Sequence, residues 1–160
     1  MVKNSKNLLI KFIFFISIIA LASGFFIEYI LGHQPCNLCV LERIPYLLAI
    51  IVVLLNYKFI QFEKFFVLLL TIIFLIGTAL SLYHLGIEQG FIQESLACDI
   101  KSGSNLLSKD EILKQLQEKS VNCKDVTFKI FGLSLTSYNI LISLIISINT
   151  GKIYFNYDKN

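Results

Sequence analysis

Four long apolar stretches constrain this chain more than anything else in it: about residues 8–30, 38–57, 65–85 and 132–148. Each comes close to the roughly 20 residues a helix needs to cross the hydrocarbon core of a bilayer. Backbone that leaves water must satisfy its own hydrogen bonds, so runs of this length read as spanning helices. Composition agrees, with 56% hydrophobic residues among 160 and a mean hydropathy of +0.72, against about half apolar for a soluble domain. The expected fold is an all-α membrane protein: an antiparallel bundle of four transmembrane helices, one domain over 1–160, with a long loop over about 86–131. No internal repeat, low-complexity tract or linker divides it.

The net charge of +3 is too small to point to nucleic acid, but the placement of the lysines is informative, because basic residues near span ends stay in the cytoplasm. Lys3, Lys6 and Lys11 come before or at the start of the first stretch, Lys58 and Lys64 lie between the second and third, and Lys152 and Lys159 follow the fourth. In the first outer connection Arg43 is offset by Glu42, and Glu88 to Lys129 holds seven acids against six lysines. Both termini are therefore expected in the cytoplasm and both cysteine-bearing connections outside. A cleaved signal ending near Ala22, Ser23 and Gly24 is the alternative. Against it, the apolar run continues through Phe25, Phe26 and Ile30, beyond the roughly 7 to 15 residues of a signal core.

Small residues, Ala20 and Gly24 in the first span and Gly77, Ala79 and Ser81 in the third, permit close helix approach in lipid. The second span is irregular, because Pro45 belongs in a helix's first turn. Ile44 to Leu55 then rises only about 18 Å, against about 30 Å of hydrocarbon. Either helix begins earlier, near Cys39, and tolerates Pro45, or Pro35 to Arg43 sits partly in the membrane. In the long loop Ser108 and Glu111 form a capping box, and Leu107, Ile112, Leu113 and Leu116 give a short amphipathic helix. It suits the membrane surface or a lid on the bundle.

All four cysteines fall on the expected outer side, where disulfides persist. Cys98 and Cys123, taken by themselves, read as a staple closing a 26-residue segment, worth about 3 to 4 kcal/mol in the chain-entropy model. Cys36 and Cys39 differ, because a bridge across two intervening residues closes almost no chain. Their spacing suits exchange, and a helix start at Cys36 favours thiolate. Arg43 adds positive charge on the Cys39 side, though an arginine snorkelling to the interface looks the same in sequence. A zinc site from all four thiols is disfavoured by the wide gap between Cys98 and Cys123, so no metal is expected. His84 and Glu28 by themselves read as interfacial polar residues, Glu28 with no assigned role.

The runs Pro35-Cys36-Asn37-Leu38-Cys39-Val40-Leu41-Glu42-Arg43, Tyr83-His84-Leu85-Gly86-Ile87-Glu88 and Phe131-Gly132-Leu133-Ser134-Leu135, with Cys98 and Cys123 between them, resemble the bacterial disulfide bond formation protein B (DsbB) family along essentially the whole chain. One departure is the absence of tryptophan, with Phe91 and Phe128 where family members carry tryptophans near the outer face. The resemblance implies a thiol:quinone oxidoreductase of the bacterial inner membrane, with its long loop and cysteines in the periplasm. It implies a partner, a periplasmic dithiol oxidase of the DsbA type, and a cofactor, ubiquinone or menaquinone from the membrane pool. By the same resemblance Cys98 forms the mixed disulfide with the partner, Cys123 attacks Cys36, and Cys39 faces the quinone. Arg43 then stabilises the Cys39 thiolate and charge developing on the quinone, and His84 lies by its ring. Relatives that serve one dedicated substrate, and a non-catalytic scaffold with static bridges, are the alternatives.

Overall fold

The computed structural model describes residues 2–93, 123, 129–130 and 132–157. Helix α1 spans Val2–Tyr29, α2 Asn37–Leu41, α3 Ile44–Lys58, α4 Glu63–Glu88 and α5 Leu135–Phe155, with a 3-10 turn at Ile60–Phe62. Cys98, Phe128 and the amphipathic segment expected around 107–116 lie outside the described residues. Three stretches among those described are long and apolar enough to cross a membrane: Lys6–Tyr29, Asn37–Lys58 and Ile60–Glu88. The chain is thus a mostly helical membrane protein.

The irregular second span resolves in a way that joins both sequence expectations. Helix begins at Asn37, is interrupted at Glu42 and Arg43, and restarts at Ile44 with Pro45 in its first turn, where its missing N–H is no loss. Bonds from Glu42 N to Leu38 O (2.9 Å), Arg43 N to Val40 O (3.1 Å) and Leu47 N to Arg43 O (3.2 Å) carry the backbone across the break. The result aims Cys39, Glu42 and Arg43 into the protein.

The last helix starts at Leu135, three residues later than the apolar run suggests. Lys129–Ile130 pairs antiparallel with Leu133–Ser134, forming strands β1 and β2. Gly132 in the tight turn between them has φ +81, a conformation other L-residues rarely adopt.

Packing runs α1 on α3, α3 on α4 and α4 on α5, most extensively in the last pair. Ile13, Ala49, Val53, Leu70 and Phe74 are buried at the centre, and the Tyr46 and Phe74 rings meet edge to face at 5.7 Å. Phe15, Leu54, Phe65 and Ile76 point outward, as expected where lipid rather than water is the solvent. At one end Lys6 Nζ pairs with Glu63 Oε2 at 3.3 Å, and Tyr157 Oη donates to the same oxygen at 3.1 Å. At the other, Arg43 meets α1, and His84 meets Thr136.

Helix α5 is built inside out. Thr136, Ser143, Ser147 and Thr150 are buried while Leu141, Leu144, Ile145 and Ile148 are exposed. Its inward face is small and polar, the composition that lets helices approach and hydrogen-bond in lipid. The small residues of α4 divide unequally: Gly77 and Ser81 are buried, Ala79 exposed. A Cβ on Gly77 would lie 3.2 Å from Pro45 Cγ and 3.3 Å from its Cβ. Because the proline ring cannot yield, Gly77→Val is expected to cost about 1–3 kcal/mol by overpacking, read as an earlier unfolding midpoint in detergent. An unchanged midpoint contradicts that contact.

Candidate redox site

Cys36 is the N-cap of α2, with φ −70 and ψ 166. Its Sγ accepts the Cys39 backbone N–H at 3.3 Å, in the place a serine or aspartate oxygen usually takes. This local turn brings the Cys36 and Cys39 sulfurs to 2.8 Å, both as free thiols. The hydrogen bond from Cys39 holds the Cys36 thiol below the ordinary thiol range; His84 adds to this, while burial opposes it.

His84, 1% exposed, reaches across from α4, and its Nε2 lies 3.5 Å from Cys36 Sγ. Its Nδ1 lies 2.8 Å from Glu42 Oε1 and 3.2 Å from Thr136 Oγ1. A carboxylate oxygen accepts, so Nδ1–H faces Glu42 and Nε2 faces the thiol. Thiol, imidazole and carboxylate form a line of nucleophile, base and orienter. Thr136 Oγ1 also donates to Glu88 Oε1 at 2.8 Å, and Glu88 Oε2 is buried without a hydrogen-bond partner among the described residues.

Asn139 ties this end of the bundle together. Its Nδ2 donates to Glu42 Oε2 at 3.1 Å and to Ser81 Oγ at 2.7 Å. Its Oδ1 accepts from Tyr46 Oη, in a short contact, and from Ser143 Oγ at 3.4 Å.

Arg43 folds back on α1 rather than snorkelling away from it. Nη1 meets Glu28 Oε2 at 2.5 Å, Nη2 donates to Gly24 O at 3.4 Å, and the guanidinium lies 5.2 Å from the centre of the Phe25 ring. Gly24 makes room for it, since a Cβ there would come within 3.2 Å of Arg43 Nε.

A cavity of about 350 Å3 opens beside these groups, lined by Cys36, Cys39, Arg43, His84 and Cys123 and walled by apolar residues of α1 such as Ile16 and Ala20. Cys123 is buried and disulfide-bonded. It shares a buried cluster with Cys36, Leu38 and Ile87, with Cys39 packed against it.

Of the residues singled out in the sequence, Cys36, Cys39, Arg43, His84 and Cys123 converge on this one cavity, and Cys98 lies outside the described residues. Sequence reasoning passed over Glu42 and Glu88 within their runs, left Glu28 without a role, and missed Tyr46, Thr136 and Asn139. The available signal was polarity at membrane depth: an amide or carboxylate there is costly and faces the bundle interior.

These features define a class, a helical membrane protein with a Cys-x-x-Cys dithiol at one end of its helices. The chain belongs to the family of the disulfide bond formation protein DsbB, whose sequence model matches residues 6–151. It is also 36% identical over 151 residues to the uncharacterized protein RP370 of Rickettsia prowazekii (strain Madrid E), covering 91% of this chain and 85% of that one. No solved structure matches it.

Proposed function

We propose that this protein generates disulfides: it oxidises a periplasmic DsbA-type dithiol oxidase through two cysteine pairs, Cys98–Cys123 and Cys36–Cys39, and delivers the electrons to a membrane quinone. The observation that carries the reading is the packing of disulfide-bonded Cys123 against Cys36 and the free Cys36–Cys39 dithiol. A staple needs no such neighbour, whereas exchange between two pairs requires one.

In this reading the partner's thiolate attacks Cys98, forming a mixed disulfide and releasing Cys123. Cys123 attacks Cys36 of an oxidised Cys36–Cys39 pair, and Cys39 leaves as thiolate. When the partner's second thiol resolves the mixed disulfide, the partner departs oxidised with Cys98 reduced. Cys98 then displaces Cys36 from Cys123 and restores the loop pair, leaving Cys36 and Cys39 as a dithiol. His84 Nε2 is within reach of Cys36 Sγ to take the thiol's proton when the Cys36–Cys39 dithiol is reoxidised, its two electrons passing to the quinone, and to return that proton when Cys36 next leaves as thiolate. Glu42 keeps the imidazole in the tautomer this needs.

The cavity suits a quinone. Its volume falls in the range of small-molecule sites, and its wall is mostly apolar with few polar groups. Cys39 and Arg43 would hold the ring end and α1 the apolar body. Bound there, the quinone supplies a two-electron, two-proton acceptor. Arg43, already paired with Glu28, contributes a fixed orientation as much as free charge.

The inside-out burial of α5 and the meeting of helix ends support a single domain of four antiparallel spans, with about 132–148 as the core of the fourth. The lysine distribution supports cytoplasmic termini, cysteines in the periplasm and residence in the inner membrane. The deciding experiment is trapping: Cys123→Ser, given a reduced DsbA-type partner, is expected to accumulate a mixed disulfide through Cys98. Absence of an adduct, or an adduct through another cysteine, overturns the assignment of roles.

A further inference from the structure

The same end of the bundle carries a second ligand chemistry, distinct from the two-pair relay. Cys36 Sγ, Cys39 Sγ and one ring nitrogen of His84 lie within 4.8 Å of one another. Glu88 Oε1 is 3.7 Å from His84 Nε2, and Glu88 as a side chain is 6% exposed. Two thiols and an imidazole supply three corners of a tetrahedral zinc site, with the fourth open to water. With bonds of about 2.3 Å to sulfur and about 2.0 Å to nitrogen or oxygen, such a site needs edges of about 3.8 Å between sulfurs, about 3.5 Å from sulfur to nitrogen and about 3.3 Å from nitrogen to oxygen. Cys36 to His84 is already 3.5 Å. The sulfurs, at 2.8 Å, must part by about 1 Å, which a rotation of the half-buried Cys39 side chain supplies.

Two observations from outside the donor set point the same way. Zinc-bound histidines characteristically give their other ring N–H to a carboxylate, which fixes the tautomer and raises ligand basicity. Here Glu42 Oε1 stands 2.8 Å from His84 Nδ1 and is itself held by Asn139. Beside them Glu88 Oε2, buried without a hydrogen-bond partner among the described residues, is the kind of orphan acceptor that a cation or its bound water satisfies. Arg43, on the same cavity, is paired with Glu28. All three donors line the cavity, so an ion has a way in.

We propose that the reduced protein binds one Zn2+ through Cys36, Cys39 and His84, with Glu42 as the outer carboxylate. Binding displaces the thiol protons and involves no electron transfer. A disulfide between Cys36 and Cys39 removes two donors, so the metal and the oxidised pair exclude each other. If the pair is the quinone-facing half of a relay, a clause that rests on the function proposed above, zinc is an inhibitor that holds it reduced.

The test uses the full chain in detergent, with Cys36 and Cys39 either reduced or oxidised, titrated with Zn2+ against a chromogenic chelator. Reduced protein is expected to retain one Zn2+ per chain and oxidised protein none. Cys36→Ser and His84→Ala should abolish retention with helical circular dichroism unchanged, and Glu42→Gln should weaken it by about 10- to 100-fold. Co2+ should give a sulfur-to-metal charge-transfer band that Cys39→Ser removes. A Cys98→Ala/Cys123→Ala variant should still retain Zn2+, and loss there overturns the ligand set. Equal retention in both redox states, or none in the reduced state, overturns the proposal. Failure here leaves thiol oxidation standing, and failure of thiol oxidation leaves zinc retention standing.

Discussion

Cys39→Ser is expected to lower thiol-dependent quinone reduction by at least about a thousandfold, the order lost when an essential nucleophile is removed from a group that acts as a unit. Serine keeps the size of the side chain and loses the sulfur that must become one half of the Cys36–Cys39 disulfide. Cys39 is only half-buried, and its backbone N–H, which Cys36 Sγ caps, is unaffected. The helix start therefore survives and the loss is chemical. The assay supplies the purified variant with a reduced DsbA-type partner and a soluble quinone and follows quinone absorbance. A second readout separates the two cysteine pairs: the loop disulfide should still exchange once with the partner, giving a stoichiometric burst without turnover. Sustained turnover in this variant excludes Cys39 as the exit point for electrons, whatever the fate of the burst.

How far the sequence reached is clearest at the second span. Pro45 and the short apolar run after it announced an irregularity, and the helix indeed breaks just before Ile44. Which way the break would turn Glu42 and Arg43 was not legible, because that depends on what α1 and α5 present to them. Arg43 read as an interfacial cation near Cys39. Its partner, Glu28, comes from the preceding helix fifteen residues away, and no local pattern couples the two. His84 read as an end-of-span polar residue, and only the two ends of α2 and the start of α5 coming against α4 give it Cys36, Glu42 and Thr136 as neighbours. The last helix shows the opposite case. Its serines and threonines lowered the apolar signal of the fourth stretch, yet they recur at helical spacing, so a stripe turned inward was present in the sequence for a reader assuming lipid outside. The Cys98–Cys123 pair favoured a staple on spacing alone. The packing of Cys123 beside Cys36 is what spacing could not supply.

Asn139→Leu is expected to be the most destabilising single change at this end of the bundle, by about 2–3 kcal/mol. Interhelical hydrogen bonds in membrane proteins average about 0.6 kcal/mol each, with a maximum of about 1.7, so losing one would be modest. Asn139, however, serves four groups: it donates to Glu42 and Ser81 and accepts from Tyr46 and Ser143. Leucine leaves Glu42 Oε2 short of a donor in a buried position, and an abandoned acceptor costs more than the bond it replaced was worth. Reversible unfolding in mixed detergent micelles measures the change. Pairing it with Tyr46→Phe separates the network from simple shape, since Tyr46 Oη donates to Asn139 and otherwise lies 3.4 Å from Ser143 Oγ. If the network acts as one unit, Tyr46→Phe costs clearly less in the Asn139→Leu background than in the wild-type chain, a coupling of about 0.5 kcal/mol or more. Strict additivity of the two changes means the bonds act separately. The same variant should loosen His84, because Glu42 loses the amide that fixes its second oxygen, so Asn139→Leu is also expected to slow thiol oxidation while Ser147→Ala, buried on the same helix with its hydroxyl donating to Leu144 O, is not.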